Sequence, residues 1–134
     1  MGTNFYTTVF DEEDKTTKEL HIGKSSAGWC FALHAIPERN LMSWEDWCVF
    51  LKDKKIYNEY GNSLTLDEMD NKVTSRSWGR EEGWRLQKGY SSWEDFFNKN
   101  QAQLGPDGLL RHKISDRCIL HGDSTWDLML GEFC

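Results

Sequence analysis

The nine residues Gly28-Trp29-Cys30-Phe31-Ala32-Leu33-His34-Ala35-Ile36 are apolar at alternate and intervening positions alike, with one imidazole as the exception. Such a run has no solvent face. Its length fits a central strand covered on both sides. Pro37 closes the run, because proline cannot donate to a ladder.

The flanking segments supply the rest of that sheet. Asn4 to Phe10 is rich in Phe, Tyr, Thr and Val, and Glu19 to Gly23 resumes the same habit after the charged stretch Asp11-Glu12-Glu13-Asp14-Lys15. The pair reads as a hairpin with an acidic tip. Four acids in a row invite a metal, but a solvated tip is the simpler reading. Leu109 to Ile114 and Thr125 to Leu130 read as two more strands around a polar hairpin, after the turn Gly105-Pro106-Asp107-Gly108.

Helices are announced by their caps. Ser43-Trp44-Glu45-Asp46-Trp47 and Ser92-Trp93-Glu94-Asp95-Phe96 repeat one pattern: a Ser N-cap, acids in the first turn, and aromatics that open an apolar stripe. The Asp at the third position replaces the Glu of a full capping box. Trp44, Trp47, Cys48 and Leu51 keep one face apolar. Thr65, with Glu68, starts a third helix. The likeness of the first two stops after one turn, so it marks a shared solution to capping, not a duplication. Tyr57 to Leu64 reads as loop or short strand. Thr74 to Tyr90 reads as a long surface loop holding Trp78, Trp84, Arg76, Arg80 and Arg85.

These elements predict an α+β fold: one domain over 1–134, an antiparallel or mixed sheet, and two or three short amphipathic helices. A length of 134 residues suits one core, and 7 Trp, 7 Phe and 4 Tyr compensate for a hydrophobic fraction of 38%. The net charge of −6 argues against a protein that coats nucleic acid, which needs a basic face. No apolar run approaches a membrane span, and no secretory leader is visible. Cys30, Cys48, Cys118 and Cys134 form no Cys-x-x-Cys pair, so free thiols in a reducing cytoplasm are expected.

Candidate chemistry centres on His21-Ile22-Gly23-Lys24-Ser25-Ser26-Ala27-Gly28-Trp29. Read as a glycine-rich bend, it offers backbone N–H groups, a cation, two hydroxyls and an indole to an anion. Gly23-Lys24-Ser25 is similar to the end of a P-loop, but the first glycine of that motif falls on Lys18 and no helix follows. The plainer reading is a turn whose polar residues face water. Arg111 and His112, near Asp127, form a second cluster. There Arg111 either forks onto a phosphate or carboxylate ligand or pairs with Asp127. Zinc is not expected. Cys30 and His34 sit about 13 Å apart on a strand, and Cys118 with His121 gives only two ligands.

Four blocks carry a resemblance: Met1-Gly2-Thr3-Asn4-Phe5-Tyr6, the His21–Trp29 block, Gly105-Pro106-Asp107-Gly108-Leu109-Leu110-Arg111-His112, and Trp126-Asp127-Leu128 with Gly131-Glu132-Phe133. Together they resemble a family of small tailed-bacteriophage proteins for which the pattern implies no activity. Several relatives carry Cys-x-x-Cys where this chain has Asp11 to Lys15, so a metal knuckle there is not carried over. The resemblance implies a non-structural phage protein in the cytoplasm of an infected bacterium.

The reading that joins these strands is a binding protein for host takeover or anti-defence. It would sequester a small phosphorylated ligand, such as a signalling nucleotide, through His21, Lys24, Ser25, Ser26, Trp29, Arg111 and His112, without a cofactor or metal. The alternatives are an acidic inhibitor of a host nuclease, transcription or defence factor, and a nucleotide-processing enzyme using His21 or His112 as acid or base. The last ranks lowest, because no paired catalytic motif appears.

Overall fold

The hairpin at the start of the chain is longer than its sequence suggests. In the computed structural model, which describes residues 2–26, 28–75, 88–106, 109–122 and 125–131, β1 (Gly2–Asp11) pairs antiparallel with β2 (Thr16–Ser26). Asp11 Oδ1 accepts the Glu13 and Asp14 N–H groups at the tip, and Lys18 bridges Asp11 and Asp14 at 2.8 and 2.7 Å. The acidic tip is thus a hydrogen-bonded turn with its own counter-ion.

The expected bend at Gly23–Ser26 is not there. These residues continue β2, opposite Gly2 to Phe5, and the chain first turns beyond Ser26, with Gly28 at φ +80°. The central strand shortens in consequence. β3 spans Phe31–Ala35, while Trp29 forms a single bridge to Leu110. β3 pairs antiparallel with β2 through Gly23 and Lys24, and parallel with β9 (Trp126–Leu130). β8 (Cys118–His121) closes that edge, and β4 (Ile56–Asn58) with β5 (Ser63–Leu64) closes the other. The result is one α+β domain with a seven-stranded mixed sheet in the order β5-β4-β1-β2-β3-β9-β8.

Two pairings differ from the sequence expectation. Leu110–His112 is β7 and pairs with β6 (Ala102–Leu104) in a separate two-stranded sheet, while β9 takes β8 as its hairpin partner. Tyr57 to Leu64 follows the short-strand alternative, with β4 and β5 paired as a small hairpin. Of the predicted Thr74–Tyr90 loop, residues 76–87 lie outside the described residues.

The helices are α1 (Trp44–Leu51), α2 (Leu66–Thr74) and α3 (Trp93–Asn100). Ser43 Oγ and Ser92 Oγ accept the N–H of Asp46 and Asp95 at 3.0 and 3.1 Å. Each Asp carboxylate reaches back to the residue before the cap, Met42 or Ser91, at 3.0 Å. Glu68 instead bonds the cap itself, Thr65, in a full capping box. The two Asp variants thus perform the capping-box task one residue earlier.

One sheet face carries the core. Phe5, Ile22, Phe31, Leu33, Ile56, Trp126 and Leu128 pack with Trp44, Trp47 and Leu51 of α1 and with Met69 and Val73 of α2. Trp47 is fully buried, and its Nε1–H donates to the His34 carbonyl at 2.9 Å. No described helix is long and apolar enough to cross a membrane.

Candidate functional site

Strand register sorts the polar residues onto the other face. Side chains directly opposite one another share a face, and the pairing of β1 with β2 skips Ile22 between Phe5 and Tyr6. That bulge keeps Ile22 and Gly23 on the core side and returns His21 and Lys24 together to the second face. Reading across the sheet, one row runs Tyr57, Tyr6, His21, His34, Met129, Cys118. The next row runs Asn4, Lys24, Ala32, Asp127, His121.

The first row begins as a run of adjacent rings, with Tyr57 and Tyr6 stacked and His21 tilted by 55° to Tyr6 and 59° to His34. Ring centroids are 6.0 Å apart for Tyr57 and Tyr6, 5.4 Å for Tyr6 and His21, and 5.4 Å for His21 and His34. A hydrogen-bonded chain runs alongside. Asn4 Nδ2–H donates to Glu59 Oε1 at 3.4 Å, so Asn4 Oδ1 accepts from His21 Nε2–H at 2.8 Å. His21 Nδ1 then accepts from His34 Nδ1–H at 3.3 Å, and that proton also reaches the His21 carbonyl at 3.2 Å.

Burial, followed by the His34 ring and Lys24, lowers the His21 pKa from 6.5 to about 4. The folded value lies below the unfolded one, so the unfolded chain takes up the extra proton first. The stability from a neutral His21 is fully present above pH 6.5 and is lost as pH falls through about 4. Melting temperatures measured across that window should fall more steeply for the wild type than for His21→Gln; parallel curves would show that His21 does not carry the effect.

The second cluster centres on Asp127, which is fully buried on β9. Its Oδ1 accepts from Arg111 Nε at 2.8 Å, and its Oδ2 accepts from the His112 N–H at 3.0 Å, with His112 Nδ1 at 3.4 Å. Arg111 also donates from an Nη to the Trp126 carbonyl at 2.9 Å. β7 therefore lies over the second face at the β9 end, and Trp29 lies against His112, tilted by 33° with centroids 4.9 Å apart. Burial, followed by Asp127, pushes the Cys118 thiol up to about 11, so it is a poor nucleophile at neutral pH.

The seven sequence-derived candidates thus divide. Arg111 and His112 meet at Asp127 with Trp29 against the His112 ring, and Arg111 donates from Nε to that internal carboxylate and from an Nη to the Trp126 carbonyl. His21 belongs to the Asn4–His34 chain. Lys24 and Ser26 share the second face: a Cβ at Gly2 would lie 2.5 Å from Lys24 Cε and 2.6 Å from Ser26 Oγ, so Gly2 makes room for both. Ser25, opposite Thr3, falls on the core side. Lys24 and Asp127 lie in one row with Ala32 between them, roughly 10 Å apart by strand spacing. Sequence reasoning missed Tyr6, Tyr57, Asn4 and His34. Their alternation along the strands is visible in sequence, but only register shows that they align. The Cys118–His121 pair gains Asp127 as a third neighbour, with one donor atom of each within 4.8 Å of the others.

Compared with known protein families, with characterised proteins and with solved structures, the chain matches none.

Proposed function

We propose that the protein is a capture protein for a small phosphorylated ligand of nucleotide type, acting as a tailed-phage accessory protein in the cytoplasm of an infected bacterium. One observation carries the reading. The register sets a row of rings, Tyr57, Tyr6, His21 and His34, beside Lys24 on the sheet face that α1 and α2 leave uncovered. A planar base stacks on such a row, as bases do on the aromatic faces of other sheets. Lys24 supplies the phosphate contact and Ser26 a hydroxyl beside it. Arg111 is held by Asp127 and Trp126, so the phosphate contact rests on Lys24. A neutral His21 serves as part of the stacking surface, not as a charge.

The same face favours binding over catalysis. The two histidines are hydrogen-bonded to each other, and the buried thiol is protonated at neutral pH. Calorimetric titration with nucleoside monophosphates and cyclic dinucleotides tests the proposal. A charged hydrogen bond contributes about 1.5–3 kcal/mol, so Lys24→Ala should weaken binding roughly 10- to 100-fold without lowering the melting temperature. The ligand should be recovered unchanged. Conversion of the ligand would make the protein an enzyme. The absence of heat with every nucleotide, together with a host protein retained on the immobilised chain, would favour the acidic inhibitor.

A further inference from the structure

We propose that Cys118, His121 and Asp127 bind one divalent transition-metal ion of the zinc type, at a site open beside His112. The three donor atoms lie within 4.8 Å of one another. An irregularity in the sheet brings them there. In a regular strand residues 118 and 121, three apart, would face opposite sides. The pairing of β8 with β9 skips Ile119, so Cys118 lies opposite Met129 and His121 opposite Asp127, both on the Asp127 face.

The protons now present mark where the ion would sit. Cys118 Sγ–H and His121 Nε2–H both donate to one acceptor, the His112 carbonyl, at 3.7 and 2.7 Å. His121 Nε2 is also 3.9 Å from Asp127 Oδ1. A single divalent ion replaces both protons: the thiol proton leaves to solvent, and the ring proton moves to Nδ1. Donors in a tetrahedral site with Zn–S of about 2.3 Å and Zn–N of about 2.0 Å stand roughly 3.5 Å apart, so closure needs side-chain shifts of about 1 Å.

Asp127 is already oriented by Arg111 Nε and the His112 N–H, the kind of outer contact that fixes metal-ligating carboxylates. Its two oxygens offer about four lone-pair directions, so these contacts leave room for an ion. A sulfur, nitrogen and oxygen set selects zinc-like ions over magnesium or calcium, which prefer oxygen alone. The side chains of His112 and His121 are 31% and 21% exposed, which gives the ion a way in. The site does not use Lys24 and stands or falls apart from nucleotide capture.

Titration of the reduced, metal-free full chain with Co2+ tests this directly. One equivalent should bind with a near-ultraviolet thiolate-to-metal band and visible bands of tetrahedral intensity, and Zn2+ should displace it. Cys118→Ser should abolish the thiolate band and weaken binding more than tenfold. His121→Gln, at a partly exposed position, should also weaken it more than tenfold if Cys118→Ser does not fold. Cys48→Ser, on α1, should change nothing. The absence of a thiolate band, a band that survives Cys118→Ser, or a titration unchanged by His121→Gln would each overturn the proposal.

Discussion

Asp127→Ala is expected to cost about 3–5 kcal/mol of folding stability, the usual result of removing one partner from a buried ion pair. Asp127 is fully buried and the Arg111 side chain is only 11% exposed, so the guanidinium left behind cannot recover its water. The His112 N–H loses its acceptor in the same step. The cost therefore comes from stranded groups more than from the lost attraction. Replacing both charges, with Arg111→Met and Asp127→Leu together, should recover the part due to the stranded guanidinium, while the His112 N–H still lacks its acceptor. Urea unfolding of the two single variants and the double variant measures this. A loss below about 1 kcal/mol in the Asp127→Ala protein would mean that Arg111 finds solvent easily and that β7 does not seal this face.

Gly23→Ala is expected to destabilise by about 1–3 kcal/mol, nearer the upper end, through overpacking. A Cβ at this position would fall on the Ala32 carbonyl oxygen and on the Phe31 ring. Phe31 is fully buried, and the carbonyl belongs to the short β2–β3 joint, where only Gly23 and Lys24 are in register with Leu33 and Ala32. Neither neighbour can yield without disturbing the sheet. For a domain of this size the melting temperature should fall by roughly 5–15 °C. In a Phe31→Leu background the same substitution should cost less, because half of the obstruction is gone. Equal losses in both backgrounds would place the conflict entirely in the backbone. No loss in either would mean that the joint opens freely.

Gly23 also shows why the sequence misled at this point. Glycine next to lysine and serine has the composition of a bend. Its φ is not positive; the glycine is required because another strand's carbonyl and a core ring approach it closely. Close approach from a distant strand leaves no local mark. The same holds for β8. Cys118–His121 is four residues long, and only the sheet shows that it, and not β7, pairs with β9. The Arg111–Asp127 contact was legible as a pairing of charges, but not as one made between two separate sheets.

What the chain determines by itself is what depends on residues a few positions apart. The N-caps at Ser43, Thr65 and Ser92, the acid-tipped turn at Asp11, and the alternation along β1 and β9 rest on contacts within one turn or one strand. They hold whatever the rest of the fold does, and they suffice for the α+β class. Tertiary structure alone decided where two strands slip by one residue, at Ile22 and at Ile119. Because side chains alternate with a period of two, each slip carries every residue beyond it to the opposite face. Those two slips put Lys24 beside the aromatic row and Cys118 beside His121 and Asp127, and both follow from pairings across the sheet that no stretch of sequence encodes on its own.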